Sequence, residues 1–155
     1  MSEKITKSII LKADVSQAYH AWENFENFPK FMKYIKSVRN TGPNTSHWEM
    51  SGPLGVTVEW DAEMTRNEEN KRIAWNTKDR SKENGGNDLT TSGQVTFNAL
   101  PQGETEVTVI MVYDLNAGRS GKVMASLFSH PEKQLETDLR NFKAFVEGMY
   151  DRTAT

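Results

Sequence analysis

Hydrophobic and polar residues alternate over much of the chain, and a period of two predicts β-strands. The alternation is clearest in residues 56–64, where Val56, Val58, Trp60, Ala62 and Met64 share one face and Thr57, Glu59, Asp61 and Glu63 share the other. The same pattern predicts a first strand in residues 4–12 and further strands within residues 34–115, with turns such as residues 101–103 between them. Because parallel neighbours need long crossover connections, these short turns indicate an antiparallel sheet of six or seven strands.

Helical spacing of apolar residues takes over in three places. Asp14 followed by Gln17 is typical of a capping box, and it predicts a short helix that runs to about residue 24. A second short helix is predicted in residues 25–32, with Pro29 tolerated only in its first turn. After residue 118 the chain is predicted to be helical, with a break at His130-Pro131 because proline disfavours the helical conformation of the residue before it.

The last helix carries a single apolar stripe, formed by Leu135, Leu139, Phe142, Val146 and Met149. Such a helix buries its stripe by lying across the apolar face of the curved sheet, which predicts an α+β fold. The polar stretch of residues 79–88 is expected to form an exposed loop. All 155 residues are expected to form one domain, residues 1–155, with a frayed tail at about residues 150–155.

Composition narrows the classes of function. The chain has no cysteine, so it has no disulfide framework, no thiolate metal site and no cysteine nucleophile. The formal net charge of −2 gives no basic field for phosphates, and we expect no nucleic-acid partner. No apolar run reaches 18 residues, so we expect no integral membrane segment. A cytoplasmic location is the simplest expectation for such a chain.

Several segments together resemble a known family. They are residues 13–22, residues 25–32 with Val38, Gly52-Pro53, residues 58–63, residues 72–75, the Gly93-x-Val95-x-Phe97 strand and residues 138–143. In these segments the chain resembles the polyketide cyclase/dehydrase branch of the START-like (Bet v 1-like, SRPBCC) superfamily. The resemblance implies a helix-grip fold, in which a seven-stranded antiparallel sheet wraps around the C-terminal helix and leaves an apolar pocket between them. Members of the superfamily bind or process lipids, sterols, ubiquinone, polyketides and plant hormones, so the fold does not select the chemistry.

The side chains expected to point inward are bulky and apolar. Such groups are typical of a pocket for an apolar, ring-containing ligand, and equally of a packed core. The chain has four tryptophans, and each buried indole needs a partner for its N–H. The predicted ligand-binding residues are Phe28, Phe31, Trp48, Met50, Val58, Trp60, Trp75, Met111, Tyr113, Met124 and Phe128.

Catalytic motifs are sparse. His20, His47 and His130 share no metal-ligand spacing, so neither a metal site nor a cofactor is predicted. His130 and Tyr113 are the candidates for proton transfer beside the pocket. No serine lies in a Gly-x-Ser-x-Gly elbow. The alternating carboxylates of Glu59, Asp61 and Glu63 are more simply explained by the solvated outer face of a strand than by acid–base chemistry.

Three functions therefore stay open. The leading hypothesis is a protein that binds a small hydrophobic or amphipathic ligand, which could be lipid-like, polyketide-like or quinone-like. A second is a cyclase or dehydratase that acts on such a ligand. A third is a module that presents a quinone or lipid to a membrane partner.

Overall fold

The computed structural model describes residues 2–51, 57–77, 89–115 and 131–150. Its secondary structure follows the predicted order of a strand, two short helices, a run of strands and a terminal helix. The elements are β1 (Ser2–Leu11), α1 (Val15–Glu23), a 3₁₀ helix (Phe25–Lys30), β2 (Ile35–Asn40), β3 (Thr45–Ser51), β4 (Thr57–Glu68), β5 (Arg72–Thr77), β6 (Leu89–Leu100), a 3₁₀ turn (Pro101–Gly103), β7 (Glu104–Leu115) and α2 (Pro131–Tyr150).

The strands form one seven-stranded sheet in the order β1-β7-β6-β5-β4-β3-β2, and every pairing is antiparallel. Strand β1 pairs with β7, and all the other pairings join strands that are neighbours along the chain. The predicted curved antiparallel sheet with a long C-terminal helix is therefore confirmed. Strands β1 and β2 form the two edges of the sheet.

The start of α1 follows its predicted capping box. The backbone N–H of Gln17 donates to the carboxylate of Asp14 at 2.9 Å, and the backbone N–H of Asp14 donates to the side-chain oxygen of Gln17 at 3.1 Å. The prediction for Pro29 is wrong, because it lies fifth of the six residues of the 3₁₀ helix and not in its first turn. Proline has no backbone N–H to donate. The segment tolerates it because the backbone hydrogen bonds there are donated by the N–H groups of Asn27, Phe31 and Met32.

Helix α2 begins at Pro131, where the sequence predicts a break. Its predicted stripe is buried at Leu135, Leu139, Phe142 and Val146. The side chain of Met149, residues 52–56, the predicted loop in residues 79–88, residues 119–129 that were predicted to be helical and the predicted tail after residue 150 lie outside the described residues.

The core fills the space between the concave face of the sheet, the two N-terminal helical segments and α2. Trp22 of α1 and Phe142 of α2 are the largest fully buried side chains, and their ring centroids lie 5.1 Å apart. In the part of the chain that the structure describes, no helix has the length and apolar character needed to cross a membrane.

Candidate functional site

A cavity of about 110 Å³ opens inside this core, between the middle of the sheet, the 3₁₀ helix and α2. Its wall is almost entirely apolar, and aromatic rings from five different elements contribute to it. The described residues that line it are Ile5, Trp22, Phe25, Phe28, Met32, Tyr34, Ile35, Trp48, Met50, Trp60, Ala62, Trp75, Thr91, Met111, Gln134, Leu135 and Asp138.

Six of the residues predicted to face a ligand lie together at this wall: Phe28, Trp48, Met50, Trp60, Trp75 and Met111. Phe31 does not, because it follows the end of the 3₁₀ helix and turns toward α2, where its ring lies 5.0 Å from that of Phe142. The backbones of Val58 and Tyr113 belong to β4 and β7, but their side chains are outside the description. Met124, Phe128 and His130 lie outside the described residues altogether.

Two of the predicted tryptophans form a stacked pair across neighbouring strands. Trp48 of β3 is directly opposite Trp60 of β4, and their rings lie 5.8 Å apart at an interplanar angle of 16°. The indole N–H of Trp48 donates to the hydroxyl of Ser46 at 2.8 Å, so this buried donor is satisfied inside the protein. Both rings of this pair line the cavity.

The third strand tryptophan depends on a glycine. Trp75 of β5 is paired with Gly93 of β6, and a Cβ atom at Gly93 would come within 2.8 Å of Cζ2 of Trp75 and 2.7 Å of the carbonyl oxygen of Ile110. These distances are shorter than van der Waals contact, so the indole ring lies over a position that only glycine can occupy without displacement.

The structure adds a fourth tryptophan that the predicted site lacked. Trp22 of α1 is 0% exposed and meets Phe28 and Phe142 edge-to-face at centroid distances of 5.1 Å. Its indole N–H has no hydrogen-bond partner among the described residues. The spacing of apolar residues places Trp22 on the apolar face of α1. Its position at the wall also depends on how α1 packs against the strands, which the sequence pattern does not give.

The polar end of the cavity was also missed. Asp138 of α2 is 8% exposed, and its carboxylate accepts a hydrogen bond from the side-chain amide of Gln134 at 2.9 Å. Burial raises the pKa of Asp138 to about 6, although hydrogen bonds from Gln134 and from the backbone N–H of Lys33 act in the opposite direction. A carboxyl group that titrates near neutrality at the wall of an apolar cavity is a typical feature of a functional site.

A second polar cluster lies on the outer face of the sheet. The ring of His47 on β3 contacts Asp61 through Nδ1 and Glu59 through Nε2, each at 2.8 Å. Burial lowers the pKa of His47, but the hydrogen bonds and charges of these two carboxylates outweigh it and raise the pKa above its ordinary value. The carboxylates therefore lie on the outer face, as the alternation predicts.

No metal site is predicted from the spacing of the histidines, yet strand pairing brings three possible ligands together. One ligand atom from each of His47, Glu49 and Glu59 lies within 4.8 Å of the others. His20 is exposed on α1, where its Nδ1 contacts the carbonyl oxygen of Ser16 at 2.8 Å.

Comparisons with known proteins agree with this architecture. The sequence matches the family described as "Polyketide cyclase / dehydrase and lipid transport" over residues 11–143. An uncharacterized 17.2 kDa protein of Streptomyces lincolnensis is 30% identical over 144 residues, which are 93% of this chain and 89% of that protein.

Two solved structures show the same fold at low sequence identity. A START superfamily protein of Mycobacterium smegmatis superposes with a TM-score of 0.70 at 14% identity, covering 94% of this chain and 98% of that one. The Zhui aromatase/cyclase of Streptomyces sp. R1128 gives a TM-score of 0.71 at 10% identity, covering 95% and 94%. The family match over most of the sequence shows that the chain belongs to the polyketide cyclase/dehydrase and lipid transport family, and the two structures share its fold.

Proposed function

We propose that this protein binds a small hydrophobic or amphipathic ligand in the cavity between the sheet and α2. The observation that carries the proposal is the wall itself, in which the side chains of all four tryptophans of the chain meet around one cavity. Ligand sites are typically concave and apolar, with a few polar groups that fix orientation. Gln134 and Asp138 supply such groups here.

Flexible side chains allow this wall to adapt. Met32, Met50 and Met111 line the cavity, and the unbranched methionine side chain repacks around ligands of different shape at little cost. An engineered apolar cavity of about 150 Å³ is known to take up benzene, so a cavity of about 110 Å³ suits a single ring before any adjustment. Movement of the methionines would enlarge the space for a longer ligand.

The first experiment is native mass spectrometry of the purified full chain, followed by organic extraction of any co-purified molecule. We expect a stoichiometric apolar passenger. A parallel titration follows the tryptophan indole N–H signals by NMR while small aromatic probes are added to extracted protein. If no passenger is found and no probe shifts an indole signal, the proposal is wrong.

Two substitutions locate the binding. Trp60→Ala and Trp75→Ala each remove a ring from the wall, and we expect each to weaken probe binding about tenfold or more in folded protein. Phe97→Ala is the matched control, because Phe97 is buried in β6 but does not line the cavity. Equal affinity in wild type and both tryptophan variants would mean that these rings serve packing alone.

The family match supports a second candidate function, a cyclase or dehydratase acting on the bound ligand. Its proposed proton-transfer residues are still His130 and Tyr113, on which the described side chains give no information. This candidate predicts turnover that His130→Ala or Tyr113→Phe lowers by roughly 100-fold or more. Full activity in both variants would remove the two residues from the mechanism.

A further inference from the structure

Two polar side chains of α2 stand one helical turn apart at the cavity wall. Gln134 donates its amide N–H to Asp138 Oδ1 at 2.9 Å, and the backbone N–H of Lys33 donates to the same carboxyl group. Lys33 lies in the connection between the 3₁₀ helix and β2, so the carboxyl group is held from two elements. With Asp138 only 8% exposed, its position at the wall is fixed by these contacts rather than by solvent.

This carboxyl group has acceptor capacity left over. An ionised carboxylate offers about four lone-pair sites, and the two contacts occupy about two of them. Thr91, another polar residue among the described part of the wall, carries a neutral hydroxyl, which is a weaker acceptor and whose proton is already donated to the carbonyl oxygen of Val112 at 3.1 Å. A buried carboxylate with unfilled acceptor sites is stabilised by any further donor that reaches it.

We propose that Asp138 recognises a hydrogen-bond donor of the ligand, so that the cavity prefers apolar ring compounds with a hydroxyl group over equivalents with an ether or a carboxylate. The proposal rests on the proposed function, because it specifies the ligand class of the same cavity. A hydroxyl group donates its proton to the carboxylate. An ether brings only an acceptor to another acceptor. A carboxylate brings a second negative charge next to Asp138, where the low dielectric strengthens the repulsion.

Three probes that share a 4-ethylphenyl group test this preference. 4-Ethylphenol, 4-ethylanisole and 4-ethylbenzoate differ in the group opposite the ethyl chain, and each has the single ring that suits the cavity. Each is titrated into ¹⁵N-labelled full-length protein at pH 7.5, and the indole N–H signals of the four wall tryptophans report occupancy. We expect the phenol to bind about tenfold or more tightly than either of the others, the range for a hydrogen bond to a charged group.

Two variants assign the preference to one carboxyl group. Asp138→Asn removes the charge while keeping the size, and we expect the three affinities to fall within about threefold of one another. Glu136→Gln removes the same charge from the same helix, but its side chain is 53% exposed and does not line the cavity. It should leave the preference of the wild type unchanged.

The outcomes separate the two proposals. If none of the probes shifts an indole signal, the proposed ligand-binding function fails. If the probes bind but wild-type protein does not favour the phenol, the cavity binds ligands and the role of Asp138 is wrong. The role is also wrong if Asp138→Asn retains the full preference. The wild-type comparison needs no variant, so a poorly folded Asp138→Asn protein would not leave the question open.

Discussion

At the residue scale, the cavity depends on small distances at a few positions. Gly93 has no side chain where the ring of Trp75 crosses the sheet, and an added Cβ would meet backbone on one side and this ring on the other. The carbonyl oxygen of Ile110 belongs to β7, which is paired on both sides, with β1 and β6, and has little freedom to move. The shape of the cavity wall at this point therefore depends on residue 93 having no Cβ atom.

We expect Gly93→Ala to destabilise the fold by about 1–3 kcal/mol, the usual cost of forcing extra volume into a packed site. It should also shift the indole N–H signal of Trp75. Chemical denaturation measures the first effect and NMR the second. Gly148→Ala is the control, because nothing lies within 4 Å of its added Cβ and alanine favours a helix. A Gly93→Ala protein as stable as wild type would show that the strands separate easily here.

Asp138 makes a pH-dependent contribution to stability. Burial raises its pKa to about 6 in the folded protein, while in the unfolded chain the group ionises near its ordinary value of 3.8. Between these two values the folded protein binds the extra proton, so stability falls as pH rises from about 4 to 6. The full effect of a shift of this size is roughly 2–3 kcal/mol.

Asp138→Asn should remove this part of the pH dependence. We expect the difference in unfolding free energy between variant and wild type to move in favour of the variant as pH rises from 4 to 7. Urea titrations at several pH values measure it. A difference that stays constant with pH would mean that Asp138 ionises normally in the folded protein.

At the element scale, strand pairing brings together groups that are distant in sequence. His47 of β3 faces Asp61 of β4 in register, and Glu59 lies two residues further along β4, on the same face. Alternation predicted that these side chains share the outer face, but it gave no register between the strands. The contacts of His47 follow from that register, which depends on the length of the connection between β3 and β4 and on which faces are buried.

The raised pKa of His47 predicts a stability term that depends on pH. A histidine whose pKa is higher in the folded than in the unfolded protein stabilises the fold below its ordinary value of about 6.5, and this contribution is lost as pH rises through the higher folded value. His47→Gln should therefore destabilise more at pH 6 than at pH 9. The difference should stay below about 1 kcal/mol, because the side chain of Glu59 is 48% exposed and solvent screens the pair.

Thermal unfolding of wild type and His47→Gln at the two pH values measures this term. His20→Gln is a suitable control, since His20 is exposed on α1 and contacts only its own helix in the described hydrogen bonds. A loss of stability in His47→Gln that is as large at pH 9 as at pH 6 would contradict the ionic origin.

At the scale of the whole molecule, the sequence predicted the architecture better than the site. Hydrophobic periods of two and of about 3.6 residues predicted the sheet and the helices. They also predicted six residues of the wall, five of them on strands and one, Phe28, on the 3₁₀ helix. Trp22 and Asp138 were missed because their place at the wall depends on how α1 and α2 are rotated against the sheet. Phe31 was predicted at the wall, but it comes directly after the 3₁₀ helix, where its ring turns toward Phe142 and Phe145 of α2. Local patterns identify faces, and only the packed fold brings those faces to one cavity.

Whether this space is a binding cavity or a loosely packed core is a property of the whole fold, and Ala62 distinguishes the two. Ala62 lies on β4 at the wall and is 1% exposed. If the cavity is open, Ala62→Leu fills it, and we expect stability to be unchanged or higher while probe binding is lost. If the core is already filled, the same variant should be destabilised by about 1–3 kcal/mol through overpacking. Ala18→Leu supplies the comparison, because Ala18 is 0% exposed but lies away from the wall and should be destabilised in either case. Denaturation and probe titration of the two variants together measure how much of the interior is kept open for a ligand.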